Sequence, residues 1–355
     1  MNSVPMRLLH VIAGAPTGGA ESIFLDSALA LAEASVAQAV VTRANSAHRL
    51  AQLRARGIEV KTASFDRWLR WRTARVIKEM VKEFKPDLIQ YWMGRAASFA
   101  RPQRPGQPGW PPQIGWYGGY YALKRFRHCD FHIGVTPDIV RHIIAQGVAP
   151  GRTAVFHTFA DFAPVAPVAR ATLRTPEDAP VLLALARLHE KKGLDVLLRA
   201  MPSLPQAYLW IAGEGPLRRE LESLAQELGL SARVRFLGWR NDRAALLAAA
   251  DICVFPSRYE PFGTVMVDAW AAGVPLVAAA AAGPKAYVED GVNGLLVPID
   301  DVSALARAIA RVQAEPGLAQ RLVAGGRATY EASFTKAAFL RQASAFYARI
   351  GKPGP

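Results

Sequence analysis

Residues 252–279 read ICVFPSRYEPFGTVMVDAWAAGVPLVAA, a segment whose pattern indicates a parallel α/β fold. Its two short apolar runs, 252–255 and 276–279, have the length and composition of buried strands. Between them lie a loop and a helix that we predict to begin near Gly263. A strand, a helix and a second strand in this order form the repeating unit of a parallel sheet that is covered by helices.

The same alternation extends along the whole chain and predicts two α/β halves. Strands are predicted at 7–13, 38–42, 57–61, 87–91, 113–117, 131–135 and 153–156, and then at 181–187, 207–212, 234–237, 252–255, 276–279 and 294–297. Helices are predicted at 20–34, 48–56, 70–84 and 137–146, and residues 305–349 are predicted to be helical with one interruption near Thr335.

Two segments rich in proline interrupt this pattern. Residues 101–112 are predicted to form a surface loop, and residues 160–179 are predicted to link two domains. The sequence thus predicts a Rossmann-like N-terminal domain over 1–162 and a Rossmann-like C-terminal domain over 163–332. A final helix in 333–355 is predicted to pack back on the first domain.

The composition is that of a packed protein with more than one core. The 355 residues are 51% hydrophobic and 20% charged, which excludes an intrinsically disordered chain. No apolar run reaches the roughly eighteen residues of a transmembrane helix, and the run 8–14 is too short for a signal-peptide core. Cys129 and Cys253 suit neither a disulfide framework nor a metal site, so a reducing cytoplasm is expected.

Positive charge is concentrated in the N-terminal half. The formal net charge is +14, and residues 1–165 hold 21 Lys and Arg against 11 Asp and Glu. Such a basic half suits an anionic membrane, an anionic substrate or nucleic acid. No zinc-finger, recognition-helix or RNA-binding motif accompanies the charge, so nucleic acid is not expected as a partner.

The first strand-to-helix turn is GAPTGGAE, residues 14–21. Gly18 and Gly19 let the backbone approach a ligand closely, and the start of the following helix favours an anion. The spacing differs from the GxGxxG pattern of dinucleotide-binding domains, and no acidic residue stands about twenty positions on after the second strand. A dehydrogenase is therefore not predicted, and an ordinary tight turn is the alternative for this glycine pair.

Three further turns follow strands of the second half. In RLHEKKG, residues 187–193, Arg187 and Lys192 can converge on a diphosphate. Gly213 opens the turn GEGP, and Gly238 with Trp239 ends the next strand. Each of these turns taken alone is also compatible with a structural turn or with solvated surface cations.

The segment quoted first carries the strongest functional signal. Glu260 lies in the loop before the helix, and Asp268 lies on that helix. The backbone amides of Gly263, Thr264 and Val265 at the helix start can hold phosphate or sugar oxygens. Carboxylates accept hydrogen bonds from sugar hydroxyls. The two acids and the helix start therefore predict a ligand with both phosphates and sugar hydroxyls.

Together these motifs resemble the family-four retaining glycosyltransferases of the GT-B fold. The resemblance covers nearly the whole chain and is carried by the glycine loop, the 187–193 turn, the GEGP turn, VRFLG at 234–238, and EPFG at 260–263 with AGVP at 272–275. It implies two Rossmann-like domains that face each other across a cleft, with C-terminal helices. It also implies metal-independent transfer of a hexose-type sugar from a nucleotide-diphosphate donor to a glycan, with retention of configuration.

The resemblance implies roles for individual residues. Arg187 and Lys192 would bind the donor diphosphate and stabilise the leaving nucleotide diphosphate. Glu260 would contact the donor sugar hydroxyls, and Asp268 would bind the ribose. The other donor-side residues implied are Gly18, Gly19, Gly213, Gly238, Trp239, Phe262, Gly263, Thr264 and Val265. No metal and no cofactor is implied besides the nucleotide sugar, which is a substrate.

Two positions depart from the family pattern. Asp268 stands where the family usually has Glu, so its ribose contact is expected to be altered or bridged by water. Many members have a His near the reacting sugar at the end of an N-domain strand. The corresponding residues 115–121, GWYGGYY, contain none, and Tyr117 is the candidate for the acceptor side.

The resemblance extends to enzymes that assemble lipopolysaccharide cores and related surface glycans. With the basic N-terminal half, it predicts an anionic glycolipid acceptor and peripheral contact with the inner face of the cytoplasmic membrane. Two alternatives remain open: a sugar-nucleotide epimerase of the same fold and, in a different class, a basic nucleic-acid-binding protein. The base, the sugar and the linkage remain open as well.

Overall fold

A computed structural model describes residues 6–16, 18–102 and 110–350, which fold into two compact units. Unit 1 combines the described residues up to Thr158 with those from Lys336 onward, and unit 2 spans Phe159–Thr335. The sequence places the corresponding boundaries at 162 and 332. Most of the predicted loop 101–112 lies outside the described residues.

A seven-stranded parallel sheet forms the centre of unit 1. Its strands are β1 (Arg7–Ile12), β2 (Ala37–Thr42), β3 (Glu59–Thr62), β4 (Leu88–Trp92), β5 (Gln113–Tyr117), β6 (Phe131–Gly134) and β7 (Thr153–Val155), in the spatial order β3-β2-β1-β4-β5-β6-β7. The helices between them are α1 (Gly19–Glu33), α2 (Ala47–Ala55), α3 (Arg70–Phe84), α4 (Met93–Ala97) and α5 (Pro137–Ala145). The short helix α4 was not predicted.

A six-stranded parallel sheet forms the centre of unit 2. Its strands are β8 (Val181–Leu185), β9 (Tyr208–Ala212), β10 (Val234–Gly238), β11 (Ile252–Phe255), β12 (Leu276–Ala279) and β13 (Leu295–Val297), in the order β10-β9-β8-β11-β12-β13. Its helices are α6 (Leu194–Ala200), α7 (Arg218–Glu227), α8 (Arg243–Ala249), α9 (Thr264–Ala272), α10 (Ala282–Tyr287), α11 (Val302–Ala314) and α12 (Leu318–Ser333). Apolar residues of β8, β9 and β11 form its core with α6, α7 and α11.

Each sheet reverses its strand order at its first strand. β1 lies between β2 and β4, and β8 lies between β9 and β11. The connections that leave such neighbouring strands run to opposite faces of the sheet, which opens a crevice beyond their carboxyl ends. The fold therefore prepares one ligand-binding edge in each unit.

The segment 160–179, which is predicted to link two domains, belongs to unit 2 and is anchored there. The Arg170 side chain donates to the carbonyl oxygen of Ala249 at 2.9 Å and pairs with Asp251 at 3.0 Å. Asp251 also accepts a hydrogen bond of 2.7 Å from the amide of Val181, at the start of β8. These contacts tie the segment to the centre of unit 2.

The C-terminal helices contain two interruptions where the sequence predicted one. The unpredicted break separates α11 from α12, where Pro316 disfavours helical geometry in the preceding residue and Gly317 adopts φ +74°. A last helix, α13 (Lys336–Ile350), belongs to unit 1. In it, Tyr347 donates a buried hydrogen bond of 2.7 Å to Gln90 of β4. No helix in the described part of the chain has both the length and the apolarity to cross a membrane.

Two buried histidines hydrogen-bond within the sheet of unit 1. Trp92 donates to Nδ1 of His10 at 3.0 Å, so Nε2 carries the proton that reaches Gln38, also at 3.0 Å. Burial lowers the pKa of His10 to about 4, although Gln38 opposes the change. Burial, and then the charge of Arg152, lowers the pKa of His132 to about 4. Both rings are therefore neutral in the folded protein at neutral pH.

We expect unit 1 to lose stability as the pH falls from 6.5 towards 4. Over this range the unfolded chain binds protons at histidines whose ordinary pKa is 6.5, whereas the folded unit does not. Complete titration corresponds to a loss of about 3 kcal/mol per histidine. Urea unfolding between pH 7.5 and 4.5 measures the loss, and the matched control is the double variant His10→Gln with His132→Gln. Equal pH slopes for the two proteins would contradict the prediction.

Candidate active site

The predicted donor-side turns gather at the carboxyl edge of the unit 2 sheet. Arg187 follows β8, Gly213 follows β9, Gly238 ends β10 and Glu260 follows β11. Because β9, β8 and β11 are neighbours and β8 is where the strand order reverses, three of these turns border the crevice of unit 2.

Backbone packing locks these turns against each other. A Cβ atom on Gly213 would lie 1.9 Å from the carbonyl oxygen of Ala186, and one on Gly193 would lie 2.1 Å from the carbonyl oxygen of Pro256. Gly193 also adopts φ +62°, which side chains disfavour. The turn after β8 therefore packs directly on the turn after β9 and on the loop after β11. Larger residues at either glycine would separate them.

Arg258 anchors the loop that carries Glu260. Its guanidinium group forms two hydrogen bonds with the carboxylate of Asp195 on α6, at 2.8 and 2.6 Å, and one of 2.6 Å with Asp300. Its amide donates to the carbonyl oxygen of Lys191 at 2.9 Å. Burial raises the pKa of Asp195, but the hydrogen bonds from Arg258 outweigh it and hold the pKa below its usual value. Arg258 was not predicted as a site residue.

Glu260 and Lys192 form an ion pair that is mostly buried. The Lys192 ammonium donates to Oε2 of Glu260, and the two side chains are only 25% and 15% exposed. The backbone carbonyl of Glu260 accepts from the amide of Gly283 at 2.8 Å. Arg187 is exposed on the same turn as Lys192. The structure thus brings the predicted carboxylate and one predicted cation into contact and leaves the second cation open to solvent.

Glu260 lies directly at the start of α9. An ideal Cβ on Gly263 would lie 3.3 Å from Cγ of Glu260 and 2.6 Å from the ring of Phe255. Gly263 adopts φ +100°, and Thr264 begins the helix, so the first amides of α9, including that of Val265, point out of the helix at this end. Phe262 is buried and packs on Tyr287 and Phe334 in the interior of unit 2.

Asp268 faces another helix of unit 2. Its side chain is nearly buried, and Oδ2 lies 3.6 Å from Nε of Arg243 on α8. Arg243 was not predicted, and its guanidinium group also lies over the ring of Phe162. The middle of α9 therefore offers a carboxylate with a neighbouring arginine, a pair that can accept and donate hydrogen bonds to a polar group such as a hydroxyl pair.

Trp239 extends from the end of β10 into solvent. It is 48% exposed, and its indole nitrogen donates to Asn241 at 3.1 Å. Gly238 adopts φ +70°, and its carbonyl oxygen accepts from the amide of Gly213 at 2.7 Å. The exposed indole thus lies on a turn that is bonded to the GEGP turn.

The glycine loop of unit 1 is held by charged side chains. Gly18 precedes α1 and Gly19 begins it, and the Glu21 carboxylate accepts from the amide of Ala15 at 2.7 Å. The buried Arg49 donates to the carbonyl oxygen of Ala15 at 3.1 Å. Arg49, which lies on α2 and bonds to the loop, was not predicted as a site residue.

The position of Tyr117 does not support a contact with an acceptor. The side chain is fully buried, stacks on Phe126 with ring centroids 3.7 Å apart, and its hydroxyl group lies 2.9 Å from Nδ1 of His132. β5 is covered on this face, so its last residue serves the core of unit 1. The pattern of aromatic residues and glycines could not distinguish a covered strand end from an open one.

Comparison with known proteins identifies the family. The model of the family "Glycosyl transferases group 1" matches residues 166–329. LpsE of Rhizobium meliloti, a lipopolysaccharide core biosynthesis glycosyltransferase, is 35% identical over 337 residues, 94% of this chain and 96% of the relative. The chain belongs to the group 1 glycosyltransferases. LpsD of the same organism, also a lipopolysaccharide core biosynthesis glycosyltransferase, is 34% identical over 344 residues, 94% of this chain and 95% of LpsD.

Solved structures confirm the predicted GT-B architecture of this glycosyltransferase. Anabaena HepE, in complex with UDP-glucose, superposes with a TM-score of 0.83 at 22% identity and covers 97% of this chain and 100% of its own. Within the residues that the structure describes, no group of three or more His, Cys, Asp and Glu side chains is placed to hold a metal ion.

Proposed function

We propose that this glycosyltransferase moves a hexose-type sugar from a nucleoside-diphosphate donor to a lipopolysaccharide core or a related surface glycan, with retention and without a metal. The observation that carries the proposal is the Lys192–Glu260 ion pair at the start of α9, with Arg187 on the same turn. Cations, a carboxylate and helix amides at one strand edge fit a ligand that joins a diphosphate to a sugar.

The ion pair suggests how the donor is engaged. A diphosphate that enters the crevice brings negative charge to Arg187 and Lys192. Lys192 then exchanges Glu260 for a phosphate oxygen, and the Glu260 carboxylate becomes available to the sugar hydroxyls. As the bond to the sugar breaks, negative charge grows on the leaving diphosphate, where the two cations and the start of α9 stabilise it. These groups supply the positive charge that a divalent ion supplies in other transferases.

The acceptor is proposed from the relatives and from charge. LpsE and LpsD are lipopolysaccharide core biosynthesis enzymes that align with nearly the whole chain. Residues 1–165 hold 21 Lys and Arg against 11 Asp and Glu, which suits an anionic glycolipid presented at the cytoplasmic face of a membrane. We place the protein in the cytoplasm, in peripheral contact with that membrane.

A transfer assay tests the proposal. The purified protein is incubated in excess EDTA with UDP-, GDP- and ADP-sugars, with and without truncated lipopolysaccharide. We expect one donor to raise the thermal midpoint and to release nucleoside diphosphate only when acceptor is present, because a ligand that binds the native state stabilises it. The Glu260→Gln variant serves as the control for background release of nucleoside diphosphate.

Three results would count against it. A donor that is isomerised without acceptor would identify an epimerase. Loss of transfer in EDTA with recovery on adding Mg²⁺ or Mn²⁺ would refute metal independence. No acceptor-dependent release and no stabilisation by any nucleotide sugar would refute the donor assignment itself.

A further inference from the structure

Unit 1 exposes large apolar side chains at one place. Trp68, Leu69 and Trp71 are 85%, 38% and 59% exposed. Among the described residues of unit 1, these three are the exposed large hydrophobic side chains. Two exposed indoles within four positions are unusual on a surface that faces only water, and they indicate a binding surface. We call residues 66–72 the aromatic turn.

The aromatic turn is held in one conformation by its own hydrogen bonds. The Asp66 carboxylate accepts from the amides of Trp68 at 2.7 Å and Leu69 at 3.4 Å. The amide of Phe65 donates to the hydroxyl of Thr73 at 3.1 Å, and both of these residues are buried. The indoles are therefore presented outward by an ordered turn that is anchored to the core on each side.

Arginines surround the exposed indoles. The guanidinium group of Arg67 lies 5.8 Å from the ring of Trp68, and that of Arg72 lies 5.3 Å from the ring of Trp71. Arg70 donates to the carbonyl oxygen of Ser98 at 2.7 Å. Arg75, which follows the aromatic turn, pairs with Glu79. Within the aromatic turn itself, Asp66 is the acidic residue. The surface is therefore both aromatic and positively charged.

The aromatic turn lies at the carboxyl edge of the unit 1 sheet. It follows β3 and includes the first turn of α3. Arg43, which follows β2, donates to the carbonyl oxygen of Ser64 just before the aromatic turn, at 3.1 Å. The glycine loop after β1 leaves the same edge. A partner bound by the aromatic turn is thus brought to the edge at which open α/β sheets bind their ligands.

We propose that the aromatic turn docks on a bilayer that contains anionic phospholipids, with Trp68 and Trp71 in the headgroup layer and Arg67 and Arg72 at the phosphates. Tryptophan prefers the membrane interface because its indole is apolar with one polar edge, and each basic residue near the surface adds attraction to anionic lipid. An indole that is 85% exposed projects from the surface, whereas stacking on single-stranded nucleic acid uses residues that line a groove. The inference rests on the proposed function, since it would bring a membrane-anchored glycolipid to unit 1.

Vesicle binding tests the inference. We expect the wild type to co-sediment with equimolar phosphatidylglycerol and phosphatidylcholine vesicles, and Trp68→Ala with Trp71→Ala to weaken binding by about tenfold or more. The matched control is Trp239→Ala, which removes an exposed indole from unit 2. Arg67→Gln with Arg72→Gln should remove most of the dependence on anionic lipid and on salt. Equal binding of the wild type and the tryptophan double variant, or no binding by the wild type at low salt, would overturn the inference.

Three further measurements separate membrane docking from donor chemistry and from nucleic-acid binding. The tryptophan double variant should keep stabilisation by the nucleotide sugar and transfer to a delipidated, soluble acceptor. If the double variant instead loses affinity for single-stranded oligonucleotide while its vesicle binding stays as in the wild type, the turn recognises nucleic acid and the inference fails. If no nucleotide sugar stabilises any variant but the vesicle results hold, the proposed function fails and the docking surface stands.

Discussion

Replacing Glu260 by Gln should lower turnover by about a hundredfold while affinity for free nucleotide diphosphate stays near that of the wild type. Gln keeps the size and one acceptor oxygen but loses the charge that pairs with Lys192 at the start of α9. The carboxylate is proposed to act on the sugar, whereas the nucleotide is proposed to be held by Arg187, Lys192 and Asp268. Turnover and binding should therefore separate in this variant.

Asp268→Ala is the contrasting variant and should weaken nucleotide binding itself. It removes the carboxylate that lies 3.6 Å from Arg243 and is nearly buried. Steady-state transfer and calorimetric titration with nucleotide diphosphate measure the two effects, with the thermal midpoint as a check on folding. If both variants transfer at the wild-type rate while folded, the loop with Glu260 is a structural turn and the proposed donor site is wrong.

Arg187→Ala should weaken binding of nucleotide diphosphate by roughly 1.5–3 kcal/mol, the value of a charge-assisted hydrogen bond. Arg187 is exposed, so its removal should leave the fold intact. Lys192 is less suitable, because removing it would leave Glu260, which is only 15% exposed, without its cation.

Arg199→Ala is the matched control for Arg187. Arg199 is also an exposed arginine of unit 2, but it lies in α6 beyond the turn. Isothermal titration should show the full loss for Arg187→Ala and none for Arg199→Ala. Equal affinities of Arg187→Ala and the wild type would remove Arg187 from the proposed site.

The fold could be predicted because its signals are local. Every predicted strand is present in the described residues, and most of them are short apolar runs between turn residues, which is the pattern of buried parallel strands. The clustering of Arg187, Gly213 and Glu260 at one edge follows from the same rule, because each comes directly after a strand. The order of the strands makes three of these turns neighbours.

The features that escaped prediction depend on contacts between distant residues. Arg258 meets Asp195 and Asp300, which lie 63 and 42 positions away in the chain. Local periodicity carries no information about such pairs. The same holds for the contact between Arg243 and Asp268.

The core position of Tyr117 and the anchored segment 160–179 escaped prediction for a related reason. Both depend on which distant residues pack against the segment, and amino-acid composition does not reveal those residues. Tyr117 lies under Phe126 and beside His132, and Arg170 bonds to residues far along the chain.

The touching turns of unit 2 have a consequence for altering donor choice. A Cβ on Gly193, Gly213 or Gly283 would come within 2.1, 1.9 and 1.9 Å of a carbonyl oxygen on a neighbouring turn, so main chain packs against main chain there. Trp239, by contrast, is half exposed and bonds to Asn241 in its own loop. The family resemblance implies that Gly238 and Trp239 lie near the nucleotide base. We therefore propose that a library built to accept a new base should randomise 239–241 and leave the three glycines fixed. Substitutions at 239–241 can then alter the preference for the base while the packed glycine turns stay unchanged.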